Sequence, residues 1–184
     1  MDVHEAIRSR RSFGLVKDVE VEKEKIEQII DAGTWAPCHF RTEPWRFFVF
    51  QGEGRKRLGD VLLNIAKKNG ETDEKKLEKI QAKPFRAPVI VAVAVEPSDN
   101  PKAIKLEEYG ATYACIQNML LEAHSLGLAG FWRTGKPTYD HVMKEFFGLT
   151  ENGEVLGFLY FGYPSRSLPE GKRNSYESVT KWIN

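Results

Sequence analysis

Cysteine is scarce in this sequence. Cys38 and Cys115 are the only two, and they stand far apart with no Cys-x-x-Cys pair. That excludes a disulfide scaffold and fits a reducing compartment. Long apolar runs are missing as well. The longest aliphatic stretch, Val89 to Val95, falls far short of the ~20 residues that a membrane-spanning helix needs. The opening Met-Asp-Val-His-Glu has no apolar signal core, so a cytoplasmic protein with no membrane partner is expected. Excess charge of either sign is absent too. A net charge of +1 gives no field for nucleic acid and little self-repulsion against association. Gly-x-Gly-x-x-Gly, the Gly-x-x-x-x-Gly-Lys-Ser phosphate loop and Gly-x-Ser-x-Gly do not occur, which removes three common enzyme classes. The four histidines, His4, His39, His124 and His141, lack metal-ligand spacing, and no second pair completes a site with Cys38 and His39, so no metal is expected.

What is present reads as one domain over residues 1–184, long enough to bury a core without staples. Asp2 is placed to cap a first helix carrying Val3, Ala6 and Ile7 on its apolar edge, with Glu5 in capping-box position. Val21 to Ala32 has a helical stripe of Val21, Ile26, Ile29 and Ile30, and Gly33 reads as its stop. Trp45 to Phe50 reads as a strand, Arg55 to Lys68 as a helix ended by Gly70, and Asp73 to Lys83 as an exposed charged helix. Val89 to Val95 is unbroken aliphatic and belongs at the sheet centre, buried on both faces. Ile104 to Leu126 is apolar over most of its girth and is the expected central helix. Its small residues Gly110, Ala111, Ala114 and Cys115 suit either tight packing within one subunit or a subunit interface. Phe131 to Arg133 ends a short strand, Pro137 leads into a helix to Phe147, Val155 to Phe161 is the last strand, and an amphipathic tail carries Val179 and Trp182. Helices alternating with strands give an α/β or α+β sheet flanked by helices.

Four segments carry chemistry. Arg8-Ser9-Arg10-Arg11-Ser12 is either a solvated basic patch at a helix end or an anion site, because guanidinium forks and a hydroxyl match phosphate oxygens. Trp132-Arg133-Thr134 and Lys172-Arg173 share that cationic character. The stretch from Trp35 to Phe50 is kept stiff and non-helical by Pro37 and Pro44, and it gathers Cys38, His39, Arg41 and Glu43 between the indoles of Trp35 and Trp45. It suits a flat polar ligand, or else a surface loop with two indoles anchored in the core.

Together these residues resemble the flavin-dependent nitroreductase family over almost the full chain. The resemblance is carried in order by Arg10-Arg11-Ser12, Ala32-Gly33 followed by Ala36-Pro37, Pro44-Trp45-Arg46-Phe47, Gly127-Leu128-Ala129-Gly130 before Trp132-Arg133, and Gly157 to Pro164. It implies an α+β fold with a mostly antiparallel central sheet, and a homodimer holding one FMN in each of two sites at the subunit interface. It assigns the FMN phosphate and ribityl chain to Arg10, Arg11 and Ser12, with Arg173 as a late phosphate ligand. It assigns the partner's isoalloxazine to Trp35, Pro37, Cys38 and His39, and further flavin contacts to Trp132, Arg133 and Thr134. Cys38 and Glu43 depart from many relatives, which have Asn or Asp and Gln there. The implied activity is hydride transfer from NAD(P)H through FMN to an electron-poor acceptor, a nitroaromatic or quinone, in a ping-pong cycle. The flavin would carry the chemistry, with His39 as a flavin-edge contact or proton donor. A dedicated dehydrogenase or dehalogenase on the same fold, or a flavin-binding module without turnover, are the alternatives.

Overall fold

A computed structural model describes residues 1–183. Its centre is a four-stranded sheet in the order β1-β2-β4-β3, antiparallel at every pairing, built from β1 (Trp45–Gln51), β2 (Val89–Val95), β3 (Ala129–Arg133) and β4 (Glu154–Gly162). Six α-helices accompany it: α1 (Val3–Ser9), α2 (Lys23–Thr34), α3 (Gly54–Lys68), α4 (Glu74–Gln81), α5 (Lys105–Ser125) and α6 (His141–Phe146). The result is an α+β fold with antiparallel pairing, as expected from the resemblance rather than from the alternation of elements.

Strand β2 explains the layering. Every one of its residues is buried, so both faces of the sheet are covered. Val91, Val93 and Val95 pack with Ile29 of α2 and with Ile116 and Met119 of α5. Ile90, Ala92 and Ala94 point the other way, to Leu58 and Ile65 of α3 and Met143 of α6. The period of two along a strand divides the two cores.

Local signals behave as their chemistry dictates at two helix starts. Asp2 accepts a hydrogen bond from the Glu5 amide at 2.8 Å, and Asp73 caps α4 by accepting from the Lys76 amide at 3.1 Å. Elsewhere packing overrides the local reading. Gly33 does not stop α2 but lies within it, against α5, where a Cβ would stand 2.7 Å from Met119 Cγ and 2.9 Å from Cys115 Sγ. It is a contact glycine, and Trp35 follows as the cap residue. The helix expected from Pro137 to Phe147 is broken. A single turn spans Lys136–Tyr139, and Asp140 then caps α6 by accepting from the Val142 amide at 3.0 Å.

Antiparallel β4 carries a bulge. Its register to β2 passes from Gly157 opposite Val93 to Val155 opposite Ala94, leaving Leu156 as the extra residue. The Leu156 carbonyl accepts the indole N–H of Trp132 at 3.1 Å. Along the outer edge of β3, Ser12 forms a parallel bridge with Gly130, and the Phe13 amide donates to the Gly130 carbonyl at 3.1 Å. The chain after α1 therefore runs beside β3, which positions the site. Among the described residues no helix is long and apolar enough to cross a membrane.

Candidate functional site

Helix α1 ends at Ser9, and the next residues turn along the sheet edge. Arg10 is half-buried, and its Nε and one terminal nitrogen are fully buried with no hydrogen-bond partner among the described residues. Burial first, then the neighbouring charges of Arg11 and Arg173, hold its pKa below the usual arginine range. None of the ion pairs among the described residues involves an arginine, so this positive charge has no counter-ion among them. A buried donor without an acceptor costs about 1–3 kcal/mol, more when it is charged. That cost is offset when an anion supplies the acceptors.

Arg11 is employed differently. Its Nε donates to the Pro169 carbonyl at 3.2 Å, and one terminal nitrogen donates to the Arg8 and Arg10 carbonyls at 2.6 and 2.7 Å. Gly171 lies against the guanidinium, and a Cβ there would stand 2.6 Å from Arg11 Nε. Arg11 thus ties the C-terminal tail to the end of α1, and the tail brings Arg173 to the cluster. Arg8, Arg11, Lys172 and Arg173 line a cavity of about 780 Å³ with no carboxylate from the described residues on its walls.

Ser12 is exposed, and Gly14 follows it along β3. A terminal nitrogen of Arg133 would lie 3.1 Å from a Cβ at Gly14, so only glycine leaves the guanidinium its full space. Arg133 stacks over Phe131 at 4.2 Å and faces Tyr160 at 5.1 Å, and its Nε is buried without a partner among the described residues. Its pKa is lowered mainly by burial, with Arg86 adding to the effect. Lys83, Arg86, Arg133 and Thr134 line a cavity of about 420 Å³ with an aromatic floor of Phe131 and Tyr160 and no carboxylate from the described residues. Arg10 and Gly14 are four residues apart, at most ~14 Å of extended chain. One elongated ligand with an anionic end can therefore reach both cationic places.

Trp132 and Arg133 point to opposite faces of β3. Trp132 packs toward α5, with its ring 5.8 Å from Tyr113 and its N–H given to Leu156. The Pro-bracketed loop is elsewhere again. Trp35, Pro37, Cys38 and His39 line neither cationic cavity of their own chain. Trp45 is buried, but Trp35 is 80 % exposed and borders a cavity of about 630 Å³ between α1, α2 and α5. The loop was expected to be non-helical, yet it holds one short turn, His39–Arg41. In it Phe40 and Arg41 have φ of 58° and 53°, and Glu43 follows at 46°. Left-handed backbone at three non-glycine residues is held by the Glu43 amide donating to Cys38 Sγ at 3.3 Å. His39 stacks on Phe40 at 4.1 Å, and its Nδ1 lies 2.7 Å from Glu107 Oε2.

Sequence reading missed Lys83, Arg86, Glu107 and Tyr160. Lys83 and Arg86 flank Pro84-Phe85 just before the central strand, a cationic pair at a strand mouth that was legible. The alternating face of β4 could have given Tyr160. Nothing local announces Glu107.

The two thiols differ in reach. Cys115 is fully buried between α2 and α5, and burial pushes its pKa up to about 12. Cys38 is half-buried on the loop. A thiol-reactive dye at pH 8 is expected to label one thiol in the folded chain and two after denaturation. Rapid native labelling of Cys115 would contradict this packing.

The nitroreductase family model matches residues 7–163. The provisionally named NAD(P)H nitroreductase YdjA of Escherichia coli is 36 % identical over 164 residues, covering 89 % of each chain. A nitroreductase-like family protein from Bacillus cereus is 31 % identical with a TM-score of 0.85, covering 100 % of this chain and 96 % of that one. A provisionally named nitroreductase from Desulfovibrio desulfuricans, solved in complex with FMN, is 25 % identical with a TM-score of 0.75, covering 100 % and 98 %. The antiparallel α+β fold is thus shared with NAD(P)H-linked flavin oxidoreductases. The chain belongs to the nitroreductase family.

Proposed function

We propose that this protein is an FMN-dependent oxidoreductase that takes hydride from NAD(P)H and reduces an electron-poor acceptor such as a nitroaromatic or a quinone. The observation that carries the reading is the pair of orphaned guanidinium groups, Arg10 and Arg133, at either end of the segment that borders β3. The FMN-bound relative and the names of the NAD(P)H nitroreductases support it. Arg10 holds the phosphate with Ser12 and Arg173, while Arg11 keeps the tail in place. Each charge-assisted hydrogen bond is worth about 1.5–3 kcal/mol. Micromolar retention needs about 8 kcal/mol, so the ring packing over Phe131 and Tyr160 supplies the remainder. Arg133, Lys83 and Arg86 surround the ring with positive charge and Thr134 offers a polar contact at its edge.

FMN, when bound, supplies two-electron hydride chemistry. The cationic cavity favours the added negative charge of the reduced ring, a preorganised electrostatic contribution that needs no nucleophile or carboxylate pair. One open site visited in turn by reductant and acceptor gives ping-pong kinetics. A second copy of the chain closes the site, bringing its Trp35, Pro37, Cys38 and His39 over the ring. The exposure of Val3, Ile7, Trp35, Leu106, Val179 and Trp182 supports a homodimer.

The purified protein should be yellow, elute as a dimer, and bleach when NADH or NADPH is added without oxygen. Its colour should return on adding a quinone. A yellow protein that neither nucleotide bleaches is a flavin carrier, and a colourless protein that takes up no FMN ends the proposal.

A further inference from the structure

Behind the Arg10 cluster lies a histidine to which the proposed chemistry gives no task. His124 sits in the last turn of α5, partly buried, with its Nε2 2.7 Å from Ser9 Oγ. Ser9 has one hydroxyl proton, and it is given to the Glu5 carbonyl at 2.7 Å. The proton in the Ser9–His124 contact therefore comes from the ring. That fixes the neutral imidazole as the Nε2–H tautomer and leaves Nδ1 as its free acceptor. Nδ1 has no hydrogen bond to any described residue. The contact ties the end of α5 to the last residue of α1, directly before Arg10.

The groups facing the ring are few. Glu5 and Ser9 belong to α1, and Arg10 and Arg11 follow it. Burial, then Arg10, then Arg11 hold the His124 pKa below the ordinary histidine range, and Glu5 opposes them weakly. With the cluster empty, a third positive charge beside two arginines is unfavourable, and the ring stays neutral at pH 7. An anion at Arg10 removes that reason.

We infer that His124 is a proton-linked positioning residue of the anion site: a dianion held by Arg10 draws one proton from solvent onto His124 Nδ1, and the charged ring in turn holds the anion more tightly. The step rearranges nothing else, because Nε2–H donates to Ser9 in both protonation states. Linkage makes the effect reciprocal, so whatever a bound anion does to the histidine, acid does to the anion's affinity. The inference rests on the reading of this cluster as the phosphate site. It assigns that site a pH response which the cofactor's own phosphate would partly mask, since its second ionisation near pH 6 acts in the opposite sense.

Sulfate stays a dianion between pH 5 and 8 and separates the two effects. The experiment titrates the full-length, flavin-free chain by NMR, following the imidazole of His124 with and without saturating sulfate and assigning it through His124→Gln. The expected result is a rise of the His124 pKa by about one unit, matched by sulfate binding about fivefold tighter at pH 5.5 than at pH 8, with the full tenfold reached only well below the free-chain pKa. His124→Gln keeps an N–H donor for Ser9 but cannot take the proton. It should bind sulfate at pH 8 like the unsubstituted chain and lose the gain on acidification. A His124 titration unmoved by bound sulfate, or a glutamine variant that retains the gain, overturns this inference alone. Sulfate that binds at no pH overturns the phosphate-site reading beneath it.

Discussion

Arg10→Ala should bind FMN about two orders of magnitude more weakly than the unsubstituted chain while folding as stably. Two nitrogens of Arg10 have no acceptor among the described residues. Under the proposed function the half-exposed guanidinium donates two hydrogen bonds to phosphate, and each such bond is worth about 1.5–3 kcal/mol, with the lower figure apt for a half-exposed group. Two of them lost is about 3 kcal/mol, or roughly a hundredfold. The free chain gains rather than loses, because the substitution removes unsatisfied buried donors and the repulsion from Arg11 and Arg173. Arg11→Ala should behave in the opposite way, lowering stability first, since it unties the Arg8, Arg10 and Pro169 carbonyls. Riboflavin lacks the phosphate, so its affinity should not change in Arg10→Ala. Flavin titration by fluorescence quenching and urea unfolding of the flavin-free chain measure both quantities. An equal loss for FMN and riboflavin would place the effect in general folding and not at the phosphate.

Gly157→Ala should be among the most damaging small substitutions in the chain. Gly157 has φ of 149°, where side chains are strained, and it lies beside the bulge in β4. A Cβ there would overlap the indole Nε1 of Trp132, stand 2.6 Å from its Cδ1 and 3.0 Å from the Arg133 carbonyl. To make room, Trp132 must release the Leu156 carbonyl, and β3 must move away from β4. A lost buried hydrogen bond, overpacking and backbone strain together cost about 3–5 kcal/mol. Because Arg133 is the next residue, flavin uptake should fall with stability. Denaturant unfolding checks the magnitude, and combining the change with Trp132→Ala should recover part of the loss. A Gly157→Ala chain within about 1 kcal/mol of the original would show that the strand accommodates the methyl without displacing the indole.

Much of this architecture could be read from residue patterns, and the exceptions have physical causes. Seven aliphatic residues in a row at Val89 to Val95 leave no polar face, so a central strand was the only economical reading. Asp2 could be recognised as a cap because capping is local chemistry. Gly33 could not be read correctly. A glycine that ends a helix and one that lets two helices touch look alike until Met119 is known to lie opposite. The antiparallel sheet likewise followed from the family resemblance, since alternating helices and strands fit either direction of pairing.

The candidate site was legible as a set of residue types but not as an arrangement. Arg10 and Arg11 are neighbours of one kind, and only the course of the tail past Pro169 and Gly171 commits Arg11 to main-chain carbonyls. Adjacent Trp132 and Arg133 read as one patch, yet strand geometry sends them to opposite faces. Lys83 and Arg86 enter the Arg133 cavity from a segment about fifty residues earlier in the chain, and the convergence exists only after folding. The exposed indole of Trp35 is the reverse case. It has no place in the core of its own subunit, and its role under the proposed function depends on a second copy.

A crystal structure of the chain with FMN tests the central claim most directly. Phosphate oxygens are expected on the Arg10 guanidinium and the edge of the isoalloxazine against Arg133, with the ribityl chain running beside Ser12 to Gly14. A flavin bound elsewhere, with both guanidinium groups left as they are, would contradict it.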